Sequence, residues 1–154
     1  MSIVSRNATR NQITYDYDKR FVQLGKNEQI TGVFVNETGA ELVLVGGEVL
    51  AKRASGGNAG KLVAFNAANT IAGDCEIVGI NLEAITLAIG AEAKVLACNK
   101  GRVDEGLLVF IKGETLNTIV AIPTTNPRSV RDKIAAETAG IDLVVVTENT
   151  KYDN

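Results

Sequence analysis

From residue 30 to residue 112 the chain is a succession of short apolar segments, ITGVFV, AELVLV, EVLAKRA, KLVAFN, CEIVGIN, AKVLACN and LLVFIK. They are punctuated by NETG, SGGNAG, AIGAE and KGRVDEG. Each segment has strand length, and none keeps apolar residues at helical spacing long enough to build a helix. Even spacing of this kind restricts the chain to a mainly β architecture, a compact barrel-like or sandwich-like domain. The 15 glycines among 154 residues, against an average share of about 7%, suit a fold with many tight turns. NETG is expected to join ITGVFV and AELVLV as one hairpin, and SGGNAG to join EVLAKRA and KLVAFN as a second.

One helix is expected near the end. Asn126 or Ser129 can cap it, Pro127 suits its first turn, and Asp132 stands three residues after Ser129 in a box-like arrangement. Val130, Ile134 and Thr138 fall on one face, Gly140 supplies the stop, and IDLVVV returns as a buried strand. The polar tail TENTKYDN is expected to fray.

The first 28 residues differ in character from the rest. They carry Arg6, Arg10, Lys19, Arg20 and Lys26 against Asp16, Asp18 and Glu28, and hold Tyr15, Tyr17 and Phe21 in a polar context such as SRNATRNQ. Such a segment lacks the apolar content for a core of its own. Ile13, Tyr15 and Tyr17 alternate with Thr14, Asp16 and Asp18, the period of a strand with one buried face. The expected organisation is an extended arm over 1–28 and a β-rich domain over 29–154. Residues 13–22 can pair with a partner or with the protein's own sheet.

Length fits a single domain. With 16 basic and 18 acidic side chains the molecule presents no strong field to nucleic acid or to an anionic membrane. No stretch is long and apolar enough for a signal peptide or a membrane span, so a soluble protein made in the cytosol is expected. Cys75 and Cys98 stand far apart in apolar β-like segments and read as small core residues. Histidine is absent, which removes the commonest general base and metal ligand.

The chemical motifs are weak. A phosphate-binding loop ending at Gly60-Lys61 needs glycine at 55, where Ser55 stands, and a hydroxyl residue after the lysine, where Leu62 stands. PRS at 127–129 and AGIDL at 139–143 resemble fragments of the motifs of trimeric dUTPase-like nucleotide hydrolases, with Asp142 in the water-activating place. They come in the wrong chain order, Val130 follows Ser129 where glycine is wanted, and Asn81 stands where a carboxylate belongs. Asp104–Glu105 and Asp74–Glu76 read as solvated turn residues. The basic residues and rings of the arm suit single-stranded nucleic acid, but Asp16 and Asp18 lie between the tyrosines and repel phosphate.

The order of elements is more informative. Gly47, Val49, Leu50 and Lys52, then Gly60, Lys61, Leu62, Val63 and Phe65, then Val78, Gly79 and Ile80, then Ala93, Val95, Leu96, Gly101, Val103 and Glu105 resemble the strand and turn pattern of the lambda-type head decoration proteins of tailed bacteriophages. The likeness covers about residues 46–146. It departs at Ala64, where proline is usual, at Asn99, and in a longer 106–126 segment. The resemblance implies a homotrimer without catalytic residues, cofactor or metal. It would seat on local three-fold sites of the expanded head and cement the phage major capsid protein against packaged DNA, with no direct contact to nucleic acid or membrane. Its place would be the outer surface of the virion, and the host cytoplasm during assembly. The arm is the expected contact, through Ile3, Val4, Arg6, Arg10, Ile13, Tyr15, Tyr17, Arg20, Phe21 and Val22. A trimeric β-fold nucleotide hydrolase is the alternative.

Overall fold

The fold comes from a computed structural model that describes residues 23–68, 76–120 and 126–146, with backbone alone for 23–26. It is mainly β. The strands are β1 (Gln23–Val35), β2 (Leu42–Leu44), β3 (Val49–Lys52), β4 (Leu62–Ala64), β5 (Ile77–Asn81), β6 (Ile85–Leu87), β7 (Glu92–Asp104), β8 (Ile119–Val120), β9 (Arg128–Ser129) and β10 (Gly140–Val144). The helix, α1, spans Val130–Glu137, and a 3-10 turn covers Glu105–Leu107.

Two 13-residue strands organise these pieces. β1 and β7 pair antiparallel from Gln23 opposite Val103 to Val35 opposite Glu92. At its far end β1 also meets β4 in parallel, Phe34 opposite Leu62, so the order β1-β4-β3-β5-β7 returns to β1 and closes a five-stranded barrel. Closure removes sheet edges that would otherwise lie open. The second edge of β7 is shared. β5 takes it at Ala97 and Cys98, and β10 takes it in parallel from Lys100 to Asp104.

Alternation along the strands sorts the apolar side chains into two clusters. Phe34, Leu50, Leu62, Val95 and Ala97 converge from four barrel strands and are covered by Leu42, Leu44 and Leu87 of the β2–β6 pair. Val35, Val49, Ala51, Val63, Cys98 and Val103, largely of the opposite parity, pack with Val120, Val130, Ile134 and Ile141. The helix therefore lies over one face of the sheet. Ser129 caps it by accepting from the Asp132 amide at 3.1 Å. Thr138 ends it, its hydroxyl donating to the Ile134 carbonyl at 2.6 Å and accepting from the Ile141 amide at 3.1 Å.

The hairpin expected at SGGNAG forms, with Leu50 opposite Ala64 and Lys52 opposite Leu62. The one expected at NETG does not, because β2 pairs with β6 and β1 with β7. Asn36 diverts the chain. Its buried side-chain amide donates to the carbonyls of Ala40, Leu87 and Ala88 at 2.7–3.1 Å, and its Oδ1 accepts from the Thr38 amide and hydroxyl. The loop after β1 is thereby tied to the turn before β7 rather than folded back on β1. The end of the chain differs too. Pro127 precedes the helix, Gly140 opens β10 at φ +127°, and Val145 and Val146 of IDLVVV are exposed. Cys98 is buried as expected, while Cys75 and the tail from 147 lie outside the described residues.

Gly79 marks the tightest approach of β5 to β7. A Cβ there would stand 2.7 Å from the Cys98 carbonyl oxygen and 3.2 Å from the Ala97 Cβ. Backbone cannot withdraw as a side-chain tip can. Gly79→Ala is expected to destabilise the fold by about 1–3 kcal/mol, measured as a lower urea midpoint at unchanged slope.

Candidate functional site

All ten arm residues named as contacts, from Ile3 to Val22, lie outside the described residues. What is described begins directly after them. β1 starts at Gln23, directly after Val22, and runs unbroken across position 28 into the barrel. The ladder is irregular there. Leu24 faces Arg102 and Glu28 faces Lys100, so β1 has two more residues in this interval than β7. Asn27 fills the gap. Its Oδ1 accepts from the Arg102 amide at 3.1 Å and its Nδ2 donates to the Arg102 carbonyl at 3.3 Å, standing in for missing ladder bonds. Gly101, at φ +123°, makes room, since a Cβ there would come within 1.8 Å of Asn27 Oδ1.

Three strands meet at this end, with Leu24, Arg102 and Asp142 in one row across β1, β7 and β10. Val103 and Ile141 are buried in the core. Lys100, Arg102, Glu28 and Asp142 are exposed, with Lys100 Nζ 2.9 Å from Glu28 Oε1 and Arg102 Nε 4.0 Å from Asp142 Oδ2. Exposed pairs of this kind contribute about 0–1 kcal/mol each; the root is held by its ladder and by Asn27. Toward β4, β1 is paired at Phe34 alone among the described residues, so the outer edge of its first half carries no described strand.

The other candidate residues have structural duties. Lys61, read against a phosphate loop, donates to Asn58 Oδ1 at 3.0 Å and pairs with Glu92. The glycine-rich turn closes through the Gly60 amide on the Arg53 carbonyl at 2.8 Å, and β4 rather than a helix follows it. Ser129 is the cap of α1, and its hydroxyl also meets Asp132 Oδ2 at 2.7 Å. Asn81 is fully buried, donating to the carbonyls of Val45 and Glu83. Asp104 accepts from the Gly106 amide at 2.9 Å. Glu105 bonds Arg131 at 2.7 Å, which holds its carboxyl below the usual range. Asp74 lies outside the described residues.

A feature that the sequence reading missed lies at the head of β3. Glu48 looks like a polar residue at the head of a strand, yet it is 1% exposed. Burial pushes its carboxyl up to about 7; a backbone hydrogen bond from Ile111 opposes the rise, and the charge of Glu114 adds to it. Beside these segments lies a cavity of about 170 Å³ lined by Phe34, Val63, Phe65, Arg53, Ile111 and Lys112, among others. Arg53 is paired with Glu37 at its rim. Spacing alone could not flag Glu48, because its partners Ile111 and Glu114 are more than sixty residues away in the chain.

Comparison with protein-family models and with curated proteins finds no match for this chain. The geometry therefore carries the functional argument. Asn27→Ala is expected to loosen the first half of β1. Amides of residues 24–29 should exchange hydrogen at least about tenfold faster while the rest of the barrel keeps its protection, at a global cost of about 1–2 kcal/mol.

Proposed function

We propose that the protein is a capsid decoration protein. It binds as a homotrimer at local three-fold sites of the expanded phage head and cements neighbouring major capsid proteins against internal DNA pressure. The observation that carries this reading is the first strand: β1 is paired with β7 from Gln23 to Val35, with Asn27 bridging the irregular stretch, and among the described residues the outer edge of its first half carries no strand. A closed barrel with a tethered leader suits a protein whose work is adhesion. The leader's alternation of Ile13, Tyr15 and Tyr17 with polar residues fits strand addition, in which backbone hydrogen bonds supply affinity and alternate side chains fill pockets. Fully extended, 22 residues reach about 70 Å, enough to cross to an adjacent subunit.

The energetics need no strong single contact. A protein that binds the expanded lattice and not its precursor stabilises the lattice by RT ln(1 + [L]/Kd). Three linked arms raise the effective concentration of the second and third contacts. Exposed Val43, Ile89, Ile119 and Val145 offer apolar surface for contacts between copies or with the shell.

Purified protein mixed with expanded, undecorated heads should co-sediment with them, and protein lacking residues 1–22 should bind at least about 100-fold more weakly while retaining the barrel's circular dichroism. Equal binding by both forms removes the arm from the mechanism. Light scattering on the free protein should give the mass of three chains. Turnover of nucleoside triphosphate with magnesium, abolished by Asp142→Asn, would instead favour the hydrolase alternative.

A further inference from the structure

The cavity beside Phe65 and Ile111 has the size and lining of a site for one aromatic ring. Phe34, Val63 and Phe65, all buried, form its apolar wall. Glu37 and Lys112, both exposed, carry it out to the surface. Its volume is about 170 Å³, and an apolar cavity of about 150 Å³ takes up benzene. Thr38 and Asn66 also line it, so a ring that bears a hydroxyl finds polar groups as well as apolar ones.

The mouth favours a guest with negative charge beside its ring. Arg53 and Lys112 line the cavity against the single carboxylate of Glu37, two cations to one anion. Glu37 is already engaged, paired with Arg53 and accepting from the Asn58 amide group at 2.6 Å. Lys112 is exposed, and no ion pair joins it to another described residue.

The chain itself carries a segment of this chemistry. Three rings stand in the 22 residues that precede β1: Tyr15, Tyr17 and Phe21. Tyr17 lies between Asp16 and Asp18, whereas Phe21 follows Lys19 and Arg20, whose charge the mouth repels. Reach decides which copy supplies the ring. From Gln23 to Phe34, eleven steps along β1 (34 minus 23) cover about 30–35 Å. The six steps from Tyr17 to Gln23 (23 minus 17) span about 20 Å at full extension. Even with the length of the tyrosine side chain added, the ring falls short of its own cavity.

We propose that Tyr17 of one copy seats its ring in the cavity of a neighbouring copy, leaving Asp16 and Asp18 at the mouth where the long Lys112 side chain meets them. Each copy then gives an arm and receives one, a head-to-tail contact that closes into a ring of three. The inference rests on the homotrimer reading for the neighbouring copy and adds what joins the copies before any shell is present.

The test uses the full chain, mixed from two preparations, one with carbon-13-labelled methyl groups and one without. Tyr17 ring protons of one copy should show nuclear Overhauser contacts to Val63 and Ile111 methyls of another. Tyr17→Ala should raise the concentration at which the assembly dissociates about tenfold or more. Lys112→Glu, at an exposed position, should raise it about threefold or more, and the penalty should vanish when Asp16→Asn and Asp18→Asn are added. Light scattering on the same samples separates the two readings. Three chains by mass with no ring contact between copies, or with Tyr17→Ala and Lys112→Glu dissociating as the unsubstituted protein does, overturns the docking and leaves the trimer standing. A single chain by mass removes both. Contacts that appear only once expanded heads are added assign the cavity to the shell protein and likewise overturn the docking.

Discussion

The β1–β7 ladder is the constraint on which the rest of the molecule depends. It joins residue 35 to residue 92 at one end and residue 23 to residue 103 at the other, and so fixes where every other strand can go. One edge of β7 being taken by β1, β5 and β10 divide the other between them. The space between β1 and β5 is then filled by the β3–β4 hairpin, and the barrel closes through the parallel contact of β1 with β4. The helix follows from the same arrangement. Val130 and Ile134 pack into the cluster that holds Val49, Ile77, Cys98 and Val103, and Lys133 is buried beside them and paired with Glu137.

How much of this was legible in the sequence depended on range. Features set by a few neighbouring residues were readable: the SGGNAG turn, the Ser129 cap with Asp132, the alternation that makes a β fold, and the barrel-like class with one late helix. Pairing between distant strands was not. NETG carries good hairpin chemistry, but the choice of partner was made by Asn36 and its bonds to Leu87 and Ala88, some fifty residues on. Val144–Val146 reads as a core strand because valine favours sheets, yet among the described strands β10 pairs with β7 alone, and Val145 and Val146 beyond its end are exposed. The arm's alternation is visible in the letters, whereas the rivet that seats its root, Asn27 above Gly101, depends on a ladder irregularity that no local pattern announces.

The structure departs from simple rules in two places. In the first half of β1 the side-chain amide of Asn27 replaces backbone bonds to Arg102, outside the apolar core. At Glu48 a buried carboxyl with an unmatched oxygen is held in a position where a neutral residue would be more stable. The two features lie on different segments of the chain.

The distance in sequence between β1 and β7 also dictates the order of events at the ribosome. A strand near the N-terminus cannot find its neighbour until residue 104 has cleared the exit tunnel, and long-range pairings of this kind make for slow folders. The β3–β4 hairpin, local and glycine-turned, is complete far earlier. For most of synthesis the first strand must therefore wait for its partner, and the barrel can close only once β7 has emerged.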